Sequence, residues 1–130
     1  MRSWPSDVLF FQRRDFHIHT VLIADFGGSD GIRDSGILES AINTPLQTFD
    51  SIDLYPSPVE KIARLSFGLA MDHPFFDGNK RIAAAILYLG LSANRFSLKA
   101  TDEEVIEEFL ELASGGVRYQ DFLSWVQSKI

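Results

Sequence analysis

A chain of 130 residues, 45% of them hydrophobic, is long enough for one packed domain and too short for two of ordinary size, so residues 1–130 are read as a single domain. Lys and Arg number 12 against 18 Asp and Glu, and the net charge of −6 argues against direct nucleic-acid binding while leaving room for a local basic site. The absence of cysteine excludes disulfides, thiol catalysis and cysteine–metal sites, and no signal segment or membrane-length apolar run is present, so a soluble, cytoplasmic protein with no membrane partner is expected.

Residues 1–14 carry Trp4, Pro5 and the run Val8-Leu9-Phe10-Phe11, which fits an extended arm or short strand with no legible function. From Asp15 a helix through Ile18, Val21, Leu22 and Phe26 is expected to stop at Gly27-Gly28. His17 and His19 fall within it, and without cysteine or a third histidine nearby they are not assigned to a metal. The polar loop Ser29 to Ser35 sets Arg33 beside Asp34, read as a surface pair that supports the loop rather than the chemistry. A helix through Ile37, Leu38, Ala41 and Ile42 follows, terminated by Pro45.

Between Thr44 and Pro58, prolines 45, 56 and 58 interleave with Phe49, Ile52, Leu54 and Tyr55, which argues for a partly buried loop and makes the segment a candidate lid. Ile62, Leu65 and Leu69 then recur at helical spacing, and His73 continues that stripe before Pro74 ends the helix. Ile82 to Leu89 is strongly helix-forming and apolar on nearly every face, as in a helix surrounded by others, with Asn79, Lys80 and Arg81 in its first turn. Asn94-Arg95-Phe96 closes it. Thr101-Asp102-Glu103-Glu104 opens the next helix with a capping box and an acidic first turn, and its buried face is expected to hold Val105, Ile106, Phe109, Leu110 and Leu112 up to the stop at Gly115-Gly116. Tyr119, Phe122, Leu123 and Val126 mark a last short helix. With no repeat and no strand pattern strong enough to build a sheet, the fold class is all-α, a bundle of about six helices.

The chemistry concentrates in His73-Pro74-Phe75-Phe76-Asp77-Gly78-Asn79-Lys80-Arg81. Taken singly, His73 fits a helix C-cap cation, Asp77 an N-cap, Lys80 and Arg81 a solvated face, and both phenylalanines packing. Taken together, those readings leave two cations unexplained at a helix N-terminus, where the macrodipole disfavours them. Such an end attracts phosphate, and Gly78 allows close approach to the backbone. A polyphosphate held by Gly78, Asn79, Lys80 and Arg81 resolves the conflict, and Asp77 could hold the Mg²⁺ bound to it.

This stretch resembles the Fic-fold signature H-x-F-x-[D/E]-G-N-G-R, with Lys80 in place of the last glycine as in the Doc (death-on-curing) branch of the Fic/Doc family. Phe26-Gly27-Gly28, Gly31-Ile32-Arg33-Asp34, Gly36-Ile37-Leu38-Glu39-Ser40-Ala41 and Leu54-Tyr55-Pro56 look like the Doc-type pattern upstream of it. The resemblance implies a Fic-fold helical bundle and transfer of a phosphate-containing group from ATP, as substrate, to a protein hydroxyl. His73 would act as general base, since an imidazole exchanges a proton near neutral pH. Asp77 would hold Mg²⁺, the start of the following helix would stabilise the phosphates, and Phe75 would pack inward to fix the loop. It further implies that residues 47–56 form a flap holding the protein substrate, that a small antitoxin is a partner, and that lysine at position 80 goes with kinase activity toward a translation elongation factor. Glycine at that position goes with nucleotidyl transfer, and the absence of a further arginine at Ala84 and Ala85 weakens that alternative. A non-enzymatic interaction domain is the other reading.

Overall fold

The computed structural model describes residues 32–76 and 78–130. The expected arm 1–14, the helix from Asp15 with His17 and His19, and Asp77 lie outside the described residues. Helix α1 (Ser35–Asn43) leads through a 3-10 turn (Thr44–Leu46) to strands β1 (Thr48–Phe49) and β2 (Ile52–Asp53), then to α2 (Pro58–Asp72), α3 (Asn79–Ala93), α4 (Asp102–Ala113) and α5 (Tyr119–Ser128).

Helices α1, α2 and α4 start where a side chain satisfies orphan N–H groups of the first turn. Asp34 accepts from the Ile37 N–H at 3.0 Å to open α1. Ser57 and Glu60 form a reciprocal capping box on α2, with Pro58 at the first helical position where no N–H is needed. Thr101 and Glu104 form the expected box on α4. The Thr101 N–H, followed by Lys129, whose ammonium lies 3.0 Å from the carboxylate, holds the Glu104 carboxyl below its usual range.

Helices α2 and α3 form the centre of the bundle, with α1, α4 and α5 packed around α2. Ile62 of α2 meets Gly90 of α3, and four residues later the buried Ser66 hydroxyl donates to the Ala83 carbonyl at 2.7 Å, so the two helices run antiparallel. Leu65, Leu69, Ile82, Ile86, Leu87 and Leu91 are almost wholly buried between them. Each such side chain contributes about 1.5–3 kcal/mol relative to an exposed position. Phe109 and Phe122 bring α4 and α5 onto this core at a ring separation of 5.5 Å.

Three expectations change. The segment between Pro45 and Pro58 is not simply a loop: it holds a 3-10 turn and an antiparallel hairpin with Thr48 opposite Asp53 and Phe49 opposite Ile52. Its tip, Asp50-Ser51, has positive φ at both residues, the geometry of a tight two-residue turn. Ile106 and Leu110 are exposed rather than buried, because α4 turns Val105, Phe109 and Leu112 inward and the next residue along each time lies about 100° round the helix. Phe76, grouped with Phe75 as packing, is 65% exposed, because Phe75 is bridged to Ile32 in extended geometry and adjacent residues there point to opposite sides. The all-α class otherwise describes the chain, with five described helices and one small hairpin.

A Cβ on Gly90 would lie 2.9 Å from Ile62 Cγ2 and 3.1 Å from its Cγ1. Gly90→Ala is expected to force the central helices apart and to reduce the unfolding free energy by about 1–3 kcal/mol, read from urea denaturation. Combined with Ile62→Ala, the loss should fall short of the sum of the single losses.

Candidate active site

Helix α2 ends on His73, whose backbone is left-handed (φ 51°, ψ 57°), a conformation that a non-glycine residue adopts at a cost of about 1–2 kcal/mol. The structure holds it there from one side. The Arg33 guanidinium donates through Nε to the His73 carbonyl at 2.7 Å and through its terminal nitrogen to the Asp72 carbonyl at 3.1 Å. A cation on the last carbonyls of a helix also meets the negative end of its dipole. The main chain reinforces the contact, with the Arg33 and Asp34 N–H groups both donating to the Pro74 carbonyl, at 2.8 and 3.1 Å. Arg33 and Asp34 therefore do not make the expected pair. Each caps a different helix, since unsatisfied helix ends offer better partners than a neighbouring exposed charge.

From His73 the chain must turn and restart as a helix within a few residues. Phe75 is buried and pinned twice by Asn79: the Phe75 N–H donates to Asn79 Oδ1 and Asn79 Nδ2 donates to the Phe75 carbonyl, both at 3.0 Å. Asn79, expected to face the nucleotide, thus spends one donor and one acceptor on the loop and retains a second amide hydrogen. Gly78 precedes α3 at φ 79°, a left-handed position that suits glycine. It makes no side-chain cap, and the first turn of α3 holds no acidic residue.

That turn instead carries Lys80 and Arg81, both exposed. They stand at the rim of a groove of about 200 Å³, whose walls are Ala84 of α3 and Val105, Ile106, Phe109 and Leu110 of α4. His73, Phe75, Gly78, Asn79, Lys80 and Arg81 thus lie on a single α2–loop–α3 connection, with a base candidate at its entry and the start of a helix flanked by cations at its exit. Asp77, the metal candidate, lies outside the described residues. No group of three or more His, Asp or Glu among the described residues is placed to hold a metal ion.

Sequence reasoning missed the partners of Arg33 and Asn79. Asn79 sits four residues after its partner, so an amide following a buried phenylalanine at that spacing was a usable signal; Arg33 acts 40 residues away and left none.

Asn79→Ala removes both bonds to the Phe75 backbone while leaving the core untouched. It is expected to lower the unfolding free energy by about 1–3 kcal/mol in urea, well beyond the roughly 0.5 kcal/mol of an ordinary surface change.

The sequence profile of the Fic/DOC family matches residues 14–91. A curated relative, Toxin Doc of Mycolicibacterium smegmatis (strain ATCC 700084 / mc(2)155), is 40% identical over 75 residues, 58% of this chain and 58% of the relative's length. The profile takes in α1, the hairpin, α2, the connecting loop and most of α3, and so the entire His73 to Arg81 stretch. With more than half of its length matched and the site inside the match, the chain belongs to the Fic/DOC family.

Proposed function

We propose that the chain is a Doc-like toxin of a toxin–antitoxin pair that transfers the γ-phosphoryl group of ATP to a hydroxyl of a protein, with a translation elongation factor as the expected target and arrest of translation as the result. The observation that carries this reading is the start of α3, a helix N-terminus with no side-chain cap among the described residues and no acid in its first turn, flanked by the exposed cations Lys80 and Arg81. Family membership and the likeness to a protein named Toxin Doc support it.

In this mechanism His73 takes the proton of the target hydroxyl as its oxygen bonds to the γ-phosphorus, and the bond to the β-phosphate oxygen breaks to release ADP. The left-handed turn at His73, held by Arg33, sets the imidazole at the end of α2 rather than along its side. Gly78 keeps the approach to the backbone clear, the first turn of α3 faces the phosphates, and Lys80 and Arg81 neutralise charge that builds on them in the transition state. The Asp77 carboxylate would hold Mg²⁺, which when bound offsets phosphate charge and needs few protein ligands beside phosphate oxygens. Lys80 fills space that glycine would leave open, which favours the terminal phosphate at the anion site over the inner ones. The hairpin offers Phe49, Ile52 and Leu54 to solvent, an apolar surface suited to the protein target. A small antitoxin would cover the chain when it is inactive.

His73→Ala is expected to leave the fold intact and to lower transfer by at least about 100-fold, with loss of growth inhibition on expression. Transfer at the wild-type rate overturns the base assignment.

Incubating a translation extract with ATP labelled at the γ-phosphate or at adenine separates the two chemistries: wild type is expected to label its target from the first only. Label from adenine identifies nucleotidyl transfer instead, and label from neither favours a non-enzymatic interaction domain. Lys80→Gly is expected to reduce γ-phosphate labelling by about 100-fold, the scale of losing one charge-stabilising group.

A further inference from the structure

Lys61 lies on α2 one turn before Leu65 and two before Leu69, at the start of that buried stripe, and is only 1% exposed. A lysine in such a place is unfavourable unless its charge is partnered, and a leucine or methionine would fill the same volume without that requirement. Its partners are not in the helix. Nζ donates to the Tyr55 carbonyl and lies 3.4 Å from Asp53 Oδ2, so the ammonium is shared between the end of β2 and the segment leaving it.

The hairpin needs such a partner. Its strands are two residues long, and at 75% and 69% exposure Phe49 and Ile52 contribute little burial to hold it. Tyr55 is fixed separately, its ring edge-on to Tyr119 at 5.4 Å and its hydroxyl accepting from Arg64 Nε at 3.2 Å. Those contacts act beyond the strand. The Lys61–Asp53 pair reaches the strand itself.

We propose that Lys61 is a positioning residue whose buried ammonium seats the hairpin Thr48–Asp53 on the first half of α2, the helix that ends at His73, and so presents Phe49, Ile52 and Leu54 to the protein target in a fixed relation to the base. The target-facing role rests on the phosphoryl-transfer reading; the attachment does not.

Two variants and two readouts test it. Lys61→Met keeps the length of the side chain without the ammonium, and Asp53→Asn removes the partner charge while keeping the size of that side chain, 30% exposed. Limited chymotrypsin digestion, followed by mass spectrometry, reads cutting after Phe49 and Leu54, since Pro56 blocks the bond after Tyr55. Both variants are expected to be cut there faster, by about tenfold for Lys61→Met, with no matching rise at sites in α3 or α5. With γ-labelled ATP across a range of translation-extract concentrations, Lys61→Met should raise KM for the labelled protein about tenfold and leave kcat and KM for ATP near wild type. Unchanged cutting at the hairpin overturns the attachment. Cutting raised equally throughout the chain in both variants makes Lys61 an ordinary core residue and overturns it as well. A loosened hairpin with wild-type labelling kinetics overturns the positioning role. A wild-type chain that labels no protein defeats the phosphoryl-transfer reading and with it the target-facing role, and the digestion then decides the attachment alone.

Discussion

Two hydrogen bonds between the Asn79 amide and the backbone of Phe75 close the connection between α2 and α3, and the form of the site depends on that closure. The connection has opposing demands. It must reverse the chain between two antiparallel helices, bury Phe75, and still leave His73 and the first turn of α3 facing outward. Arg33 answers the second half of the problem by neutralising the carbonyl end of α2, so that His73 can take a left-handed conformation instead of extending the helix. A residue in the motif and a residue outside it thus share the task of setting the same few atoms.

The same helix serves three further surfaces. Its buried face packs on α3 through Ile62, Leu65 and Leu69, its first half carries Lys61 under the hairpin, and Glu60 accepts the Tyr119 hydroxyl through its carbonyl at 3.1 Å. Around that hydroxyl, burial pushes the Tyr119 phenol well above its ordinary value, Glu60 and Tyr55 add to the rise, and Arg64 opposes it. Arg64 also sits over the Phe67 and Tyr119 rings, so α5 is joined to α2 by aromatic and cationic contacts rather than aliphatic ones alone.

Much of this was legible because it is local. The stripe of α2, the stop at Pro74, the Thr101–Glu104 box and the placement of Lys80 and Arg81 at a helix start all depend on residues within a turn or two of one another. The hairpin was not legible, because strands of two residues are too short to show alternation and the turn Asp50-Ser51 lacks the glycine that usually marks positive φ. Lys61 was hidden differently. Leu65 and Leu69 follow it at intervals of four, so the periodicity that identified the helix also placed a lysine on its inner face, but its partners in the hairpin could be found only once that hairpin existed. The inward face of α4 was overestimated because five apolar residues span more of the helix circumference than the elements packed against it cover.

The cations at the rim of the α3–α4 groove have a consequence at longer range. The chain as a whole is acidic, and α4, which forms the opposite wall, displays Glu103, Glu107 and Glu111 on its outer side. An anion arriving from bulk solvent meets a repulsive far field before it comes within reach of Lys80 and Arg81, and the two contributions are screened differently. At an ionic strength near 0.15 M the Debye length is about 8 Å, enough to mute the diffuse repulsion while sparing contacts made at hydrogen-bond distance. The encounter rate of a polyanion with this groove should therefore rise with moderate salt before direct contacts weaken, the reverse of the monotonic decline seen when a uniformly basic surface steers its ligand.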